Sequence, residues 1–185
     1  MKFVCDSLDL SDAAVTVVKA CATRTLTPVL ECIRMQVKND KVTLSAYDGE
    51  LSIEKSFKAD VLEEGEACVN GRLFTDFIGK ISHTQITVGT EEKGLEIRYD
   101  DSRSFMQVLP ADEFPLLDCG DVAGSFEVEE GKFKNLVARS IFCCATDDSR
   151  PILKGCLLET EGKILRASAL DGYRMATTEC EIKNG

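Results

Sequence analysis

Few side chains in this sequence are arranged for bond-breaking chemistry. His83 is the single histidine and sits in a polar stretch, Ser82-His83-Thr84. The cysteines are Cys5, Cys21, Cys32, Cys68, Cys119, Cys143, Cys144, Cys156 and Cys180, and none form a Cys-x-x-Cys pair suited to zinc or thiol exchange. Cys143 and Cys144 are adjacent, so on a helix their side chains diverge. Asp147-Asp148 could be half of a cation site, but further acids at useful spacing are missing, and a helix-terminal loop accounts for the pair. A Gly-rich phosphate loop is also missing. Catalytic residues, metal ligands and cofactors are therefore not expected. The chemistry that remains is phosphate contact by cations on helices. Lys19, Lys80, Lys132, Lys134 and Arg139 fall on segments of helical periodicity. Such residues neutralise a nucleic-acid backbone without reading bases. A solvated helix face is the simpler account of any single lysine among them.

The elements that must carry these residues belong to an ordinary globular chain. Of 185 residues, 44% are apolar and 29% charged. No apolar run approaches the length of a membrane span. The N-terminus carries Asp6 at once and has no apolar signal core, so a reduced, cytoplasmic protein with buried thiols is expected. The net charge is −10, with a pI near 4.7. Net charge governs solubility and long-range steering; an acidic exterior is compatible with a basic inner face.

The chain repeats itself at an offset of 123 residues. Phe3 falls on Phe126, Cys21-Ala22-Thr23 on Cys144-Ala145-Thr146, and Pro28-Val29-Leu30 on Pro151-Ile152-Leu153. Ser45-Ala46-Tyr47-Asp48-Gly49 falls on Ser168-Ala169-Leu170-Asp171-Gly172. Self-similarity at a fixed period means that one supersecondary unit is reused. Module one reads as a strand at Met1–Cys5, a helix over residues 8–22 capped by Ser7 or Ser11, and strands at Leu30–Val37, Lys41–Tyr47 and Leu51–Phe57. Lys38-Asn39-Asp40 and Asp48-Gly49 supply the turns.

Module two has a strand at Glu66–Asn70, a helix at Gly71–Ile81, and strands at Gln85–Gly89, Gly94–Tyr99 and Ser104–Leu109. The aperiodic segment Pro110–Asp121 reads as a linker. Module three has a helix opening at Glu130 or Gly131 and ending near Cys144, with Phe133, Leu136, Val137 and Ile141 as its buried stripe. Its strands are expected at Leu153–Thr160, Lys163–Ala169 and Tyr173–Ile182. The class is α+β: strand-helix-three-strand modules with helices on one face of antiparallel sheets. Modules one and two are expected side by side in one continuous sheet, and module three has no mate.

Met1-Lys2-Phe3, Arg24 ahead of Thr27-Pro28-Val29-Leu30, Val69-Asn70-Gly71-Arg72 and Leu109-Pro110-Ala111-Asp112-Glu113-Phe114-Pro115 together resemble the bacterial DNA polymerase III beta subunit, the replicative sliding clamp. Arg150-Pro151-Ile152-Leu153-Lys154-Gly155 and Ala169-Leu170-Asp171-Gly172-Tyr173-Arg174-Met175-Ala176 resemble the same family's second domain. The resemblance implies the DNA-clamp fold. Two subunits, each of three two-module domains, close head to tail around duplex DNA. Helices line the hole and sheets form the outer wall. The clamp tethers the polymerase and catalyses nothing. Residues 1–120 would be the first domain, with modules at 1–60 and 66–110 and a linker at 110–123. Residues 124–185 would be the first half of the second.

By the same resemblance, Arg24 and Arg72 match positions that contact DNA. Leu153, Leu170, Gly172, Tyr173, Arg174 and Met175 match a pocket that takes linear motifs of the polymerase III catalytic subunit and the clamp loader. Leu170 and Tyr173 depart from the Thr and His of many members. A plain hairpin turn accounts for Asp171 and Gly172 without any pocket, though not for Arg174 within an apolar strand. The implied partners are double-stranded DNA without sequence preference, the polymerase and loader, and a second copy of the chain, here through residues 125–185. No membrane partner is expected. A second class remains open: a non-DNA repeat α+β module that binds peptides at sheet edges and at Tyr173. Arg24 and Arg72 on one helical face would favour the clamp.

Overall fold

A computed structural model describes residues 1–115 and 124–183. It divides into two compact units, Met1–Leu117 and Asp118–Gly185. In the first unit the elements run β1 (Lys2–Asp6), α1 (Ser7–Val17), β2 (Cys32–Lys38), β3 (Lys41–Tyr47), β4 (Ser52–Lys58) and β5 (Asp60–Glu63). The same order then recurs as β6 (Gly65–Asn70), α2 (Gly71–Ile78), β7 (Gln85–Glu91), β8 (Gly94–Tyr99), β9 (Ser102–Met106) and β10 (Val108–Leu109).

Local chemistry sets the ends of these elements. Asp6, not Ser7 or Ser11, caps α1: its Oδ1 accepts from the Leu8 N–H at 2.8 Å. Ser7 is instead buried, and its hydroxyl donates to the Ser82 carbonyl at 3.0 Å. Leu10, Ala13, Ala14 and Val17 form the buried stripe of α1 at helical spacing. The helix is shorter than its periodicity implies, because a 3-10 turn at Val18–Ala20 tightens its end and the Cys21 N–H donates to Val18. Asn70 caps α2, accepting from the Leu73 N–H at 3.1 Å. The strands expected from Leu30 and Leu153 begin later, at Cys32 and Leu157, because 3-10 turns with proline at their start occupy Pro28–Glu31 and Pro151–Lys154. Asn39 and Asp40 both take positive φ, as a two-residue hairpin turn requires.

The sheet topology differs from the expected single continuous sheet. One sheet has the order β5-β1-β7-β8-β9, the other β10-β6-β2-β3-β4. Each module thus lends its first strand to the sheet of the other. The exchange is repeated at the far end. The chain leaves β4 at Ala59 and enters the other sheet as β5; it leaves β9 at Gln107 and enters the other sheet as β10. The expected strand Ser104–Leu109 is therefore two strands in two sheets. A single core contains residues from both sheets and both helices, among them Phe3, Leu10, Ile33, Leu44, Phe74 and Ile97. Pro110–Asp121 is not a bare linker at its start. Ala111–Glu113 forms a 3-10 turn, and Phe114 is buried against Val29, Cys32 and Cys68. Residues 116–121 of that segment lie outside the described residues.

The second unit contains α3 (Glu130–Ala138), a 3-10 turn at Ile141–Cys143, and the strands β11 (Leu157–Glu161), β12 (Ile164–Leu170) and β13 (Met175–Glu181), ordered β11-β12-β13. Leu136 seats α3 on Leu165, Ala167 and Ile182. The expected stripe is only partly buried. Val137 is half-buried, while Phe133 and Ile141 are exposed, because one helix on one sheet covers only one side of itself. Among the described residues, no helix is long and apolar enough to cross a membrane.

The described cysteines are all free. Burial pushes the thiols of Cys5, Cys21 and Cys68 up to about 12. In the unfolded chain these thiols ionise near their ordinary value of about 8.5. The stability they contribute is therefore complete below that value and is lost as pH rises toward 12. Denaturant titrations should show constant stability of the first unit from neutral pH to about 8.5 and a decline above it. Mass-spectrometric thiol labelling at neutral pH should leave these three positions unmodified until denaturant is added.

Candidate nucleic-acid interface and peptide groove

Four of the cations singled out in the sequence, Lys19, Arg24, Arg72 and Lys80, lie at the ends of the antiparallel pair α1 and α2. Gly71, which opens α2, packs on Cys21 just beyond α1; a Cβ there would stand 2.5 Å from the Cys21 Sγ. At the other end, Ser7 opens α1 and is hydrogen-bonded to Ser82 and Thr84, just beyond α2. Arg72 therefore stands beside Cys21 at one end of the helix pair, Lys19 is in the adjoining 3-10 turn, and Arg24 follows Cys21 by three residues. Burial dominates the raised Cys21 pKa, and the Arg72 charge acts against it. Lys80 is not with them. It follows the C-terminus of α2, at the opposite end.

All four residues are exposed, and none makes an ion pair among the described residues. Arginines on the sheets behave differently. Arg34 pairs with Glu66 at 2.7 Å, and Arg98 and Arg103 both engage the buried Glu96. Asp12, the acid on α1 nearest in kind to a competitor, is taken by Lys55 at 2.6 Å.

In the second unit, α3 brings together only some of its cations. Lys132 and Arg139 are seven residues apart and share a face; Lys134 lies on the opposite side, across the axis from Leu136. All three are exposed and without an ion pair among the described residues.

The residues matched to a peptide pocket gather around one turn. The Asp171 Oδ1 accepts from the N–H groups of Tyr173 and Arg174, both at 3.0 Å, and Gly172 takes a φ of 93°. Asp48 holds Glu50 and Leu51 in the same way, so the repeat preserves the turn itself. Arg174 is part of this turn and not of an apolar strand, since β13 begins at Met175. Its Nε donates to the Asp171 Oδ2 at 2.8 Å, and its guanidinium lies 5.8 Å from the Phe142 ring centroid. These bonds, the backbone N–H groups of Tyr173 and Arg174 before the guanidinium, hold the Asp171 carboxyl below its ordinary range.

Tyr173 is fully exposed between two adjoining hollows. One, of 340 Å³, is lined by Ala145, Leu153 and Arg150 with the Asp171–Tyr173 turn; the other, of 270 Å³, by Leu170, Arg174 and Met175 with Gly172 and Tyr173. The structure thus brings all six pocket candidates to one surface. Sequence reasoning passed over Ala145, Arg150 and Phe142, although Arg150 stands within the quoted Arg150-Pro151-Ile152-Leu153 run. Asp147 and Asp148 form no cation site: Asp147 accepts from Ser149, and Asp148 pairs with Lys154 at 2.6 Å. Among the described residues, no cluster of three or more His, Cys, Asp or Glu is placed to hold a metal.

Interlocked strand-helix-three-strand modules, with paired helices over antiparallel sheets, define the DNA-clamp fold. Residues 1–118 match the DNA polymerase III beta subunit N-terminal domain, and residues 127–185 match the central domain of the same subunit. The chain belongs to the DNA polymerase III beta subunit family. The beta sliding clamp of Pseudomonas aeruginosa is 31% identical over 151 residues, covering 80% of this chain and 41% of that protein. The beta sliding clamp of Synechocystis is 27% identical over 195 residues, covering 100% of this chain and 50% of that protein. A crystal structure of the Pseudomonas aeruginosa DnaN clamp bound to griselimycin superposes with a TM-score of 0.94 at 28% identity, covering all of this chain and 50% of that one. The chain spans about half the length of the relatives it matches.

A carboxyl stabilised in its charged form by the Asp171 bonds should titrate below the ordinary aspartate value of about 3.9. The turn's contribution is then complete above that value and lost as pH falls through the lowered midpoint. A carboxyl NMR titration of Asp171 reads this directly, and a midpoint at or above about 3.9 would contradict the geometry.

Proposed function

We propose that this chain acts as the N-terminal part of a bacterial sliding clamp, a non-catalytic processivity factor that tethers the replicative polymerase to duplex DNA in the cytoplasm. The observation that carries the reading is the ordered match of two successive clamp domains along the chain, joined to a fold of the same architecture. The charge distribution supports it. Arg24, just beyond Cys21, and Arg72, beside it, have no ion pair among the described residues, in a chain of net charge −10. Cations left unpaired on helices suit phosphates, and a sliding contact needs phosphates and no base edges. Lys19 adds to that group; Lys80, Lys132, Lys134 and Arg139 supply further cations elsewhere on the helices. The surface around Tyr173 would receive short linear motifs of the polymerase and clamp loader. Apolar anchors would enter beside Leu153, Leu170 and Met175, with Arg174 at the rim.

DNA binding should be weak and independent of sequence. With two arginines as the main phosphate contacts, log affinity should fall against log salt with a slope of roughly −2. Fluorescence anisotropy on labelled duplexes tests this. Changing Arg24→Glu and Arg72→Glu together should abolish the signal; a double variant that binds as well as the parent would remove DNA from the assignment.

Titration with a fluorescent peptide carrying the apolar clamp-binding motif tests the second surface. Tyr173→Ala with Met175→Ala should weaken binding at least about tenfold, which is about 1.4 kcal/mol. Equal affinity for parent and variant would place the contact elsewhere.

A further inference from the structure

The first unit contains a second, smaller apolar cluster set apart from its main core. In the ladder between β6 and β2, Arg34 stands opposite Cys68 and Cys32 opposite Asn70, so Cys32 and Cys68 are diagonal neighbours on one face of the sheet. Ile33, Met35 and Val69 alternate with them and belong to the main core, so the two thiols face away from it. They are covered by the chain that follows β10. Leu109 stands opposite Cys68, the 3-10 turn Ala111–Glu113 comes next, and Phe114 packs with Val29, Cys32 and Cys68. Under this cover Cys68 is 0% exposed. The cover is held at one point. Of residues 111–115, Phe114 is the buried one. Among the described residues, the only hydrogen bond of Ala111–Phe114 is internal, from the Phe114 N–H to the Ala111 carbonyl at 3.1 Å, and the turn has no side-chain cap. On another side, Cys32 and Leu109 border a surface hollow of 490 Å³. A small cluster under one loop, outside the main core, is the kind of region that opens locally.

We propose that Ala111–Phe114 is a strap that opens while the main core stays folded, and that its opening turns Cys32 and Cys68 from packing groups into modifiable thiols. With the strap seated, burial and then the neighbouring Cys32 push the Cys68 thiol up to about 12. Release returns Cys68 to water, where a thiol ionises near about 8.5 and its thiolate is the nucleophile. With iodoacetamide, the thiol gives its proton to the buffer, the sulfur bonds the methylene carbon, and iodide leaves. The adduct then fills the space that Phe114 needs, so a brief opening becomes a lasting one. Cys5 and Cys21 belong to the main core and report whether it stays folded. This inference concerns the first unit alone and is independent of DNA binding and of the peptide groove.

Timed iodoacetamide labelling of the full 185-residue chain, read site by site by mass spectrometry, tests the strap. At neutral pH without denaturant, Cys68 of the Phe114→Ala variant should label at least about tenfold faster than in the parent, while Cys5 and Cys21 stay protected. Phe114→Leu keeps an apolar anchor and should restore most of the protection. The parent chain gives a second reading. In low denaturant, Cys68 should label through an opening whose denaturant dependence is shallower than that of Cys5 and Cys21, because less surface is released. Cys68 that stays protected in Phe114→Ala overturns the proposal. So does a variant in which Cys5 and Cys21 lose protection in step with Cys68, or a parent in which all three share one denaturant slope.

Discussion

A strand-helix-three-strand module cannot satisfy its own surfaces, and the architecture rests on that constraint. One helix laid on one sheet leaves apolar side chains on the far side of the helix, and its sheet leaves strand edges whose N–H and C=O groups need partners. In the first unit both needs are met by exchange. β1 crosses to pair with β7, β6 crosses to pair with β2, and the β4–β5 and β9–β10 switches cover the outer edges of β1 and β6. The helices that result lie antiparallel over a shared core. Exchange also explains why Phe3 and Leu10 are fully buried while Phe126 and Phe133, at the same places in the third module, are not.

The same constraint sets where charge can be used. On the sheets, the arginines are held by acids: Arg34 by Glu66, Arg98 and Arg103 by Glu96, and Arg166 by Glu179. Glu96 is buried, and a lone buried carboxylate is costly, so its two arginines are committed to it. Among the described residues, Arg24, Arg72 and Arg139 near the helix ends carry no such commitments. A chain of net charge −10 can in this way keep an acidic, soluble exterior and still present cations to a polyanion at chosen places.

Much of the local structure was legible in the residues. The alternation of Lys41–Tyr47 and of Gly94–Tyr99 marks those strands to the residue. The repeat carries hydrogen bonds with it: the Ala22 N–H donates to Leu30 and the Ala145 N–H to Leu153, while Asp48 and Asp171 build the same turn. Such features are encoded over a few residues, where side-chain size, capping oxygens and glycine's freedom act directly. The six groove candidates came from a resemblance to a family, and their proximity could not be read from spacing, because Leu153 and Tyr173 meet only after two strands have folded back.

The topology was decided by the tertiary structure. An antiparallel strand alternates in the same way whichever sheet it joins, so the pattern of Phe3 and Cys5 says nothing about β7 as a partner. β5 is polar and gives no strand signal; its place comes from the edge of β1 that it covers. Ser7 reads as a helix cap, yet the approach of α2 buries it and turns its hydroxyl to Ser82. Arg174 reads as a stray charge in an apolar strand, and the Asp171 turn holds it before the strand begins. The sequence by itself determined the modules, their caps and turns, and the offset that repeats them, since those depend on neighbours along the chain. Which module completes which, and hence which apolar faces close and which helix ends keep their cations free, depends on surfaces that only meet in three dimensions.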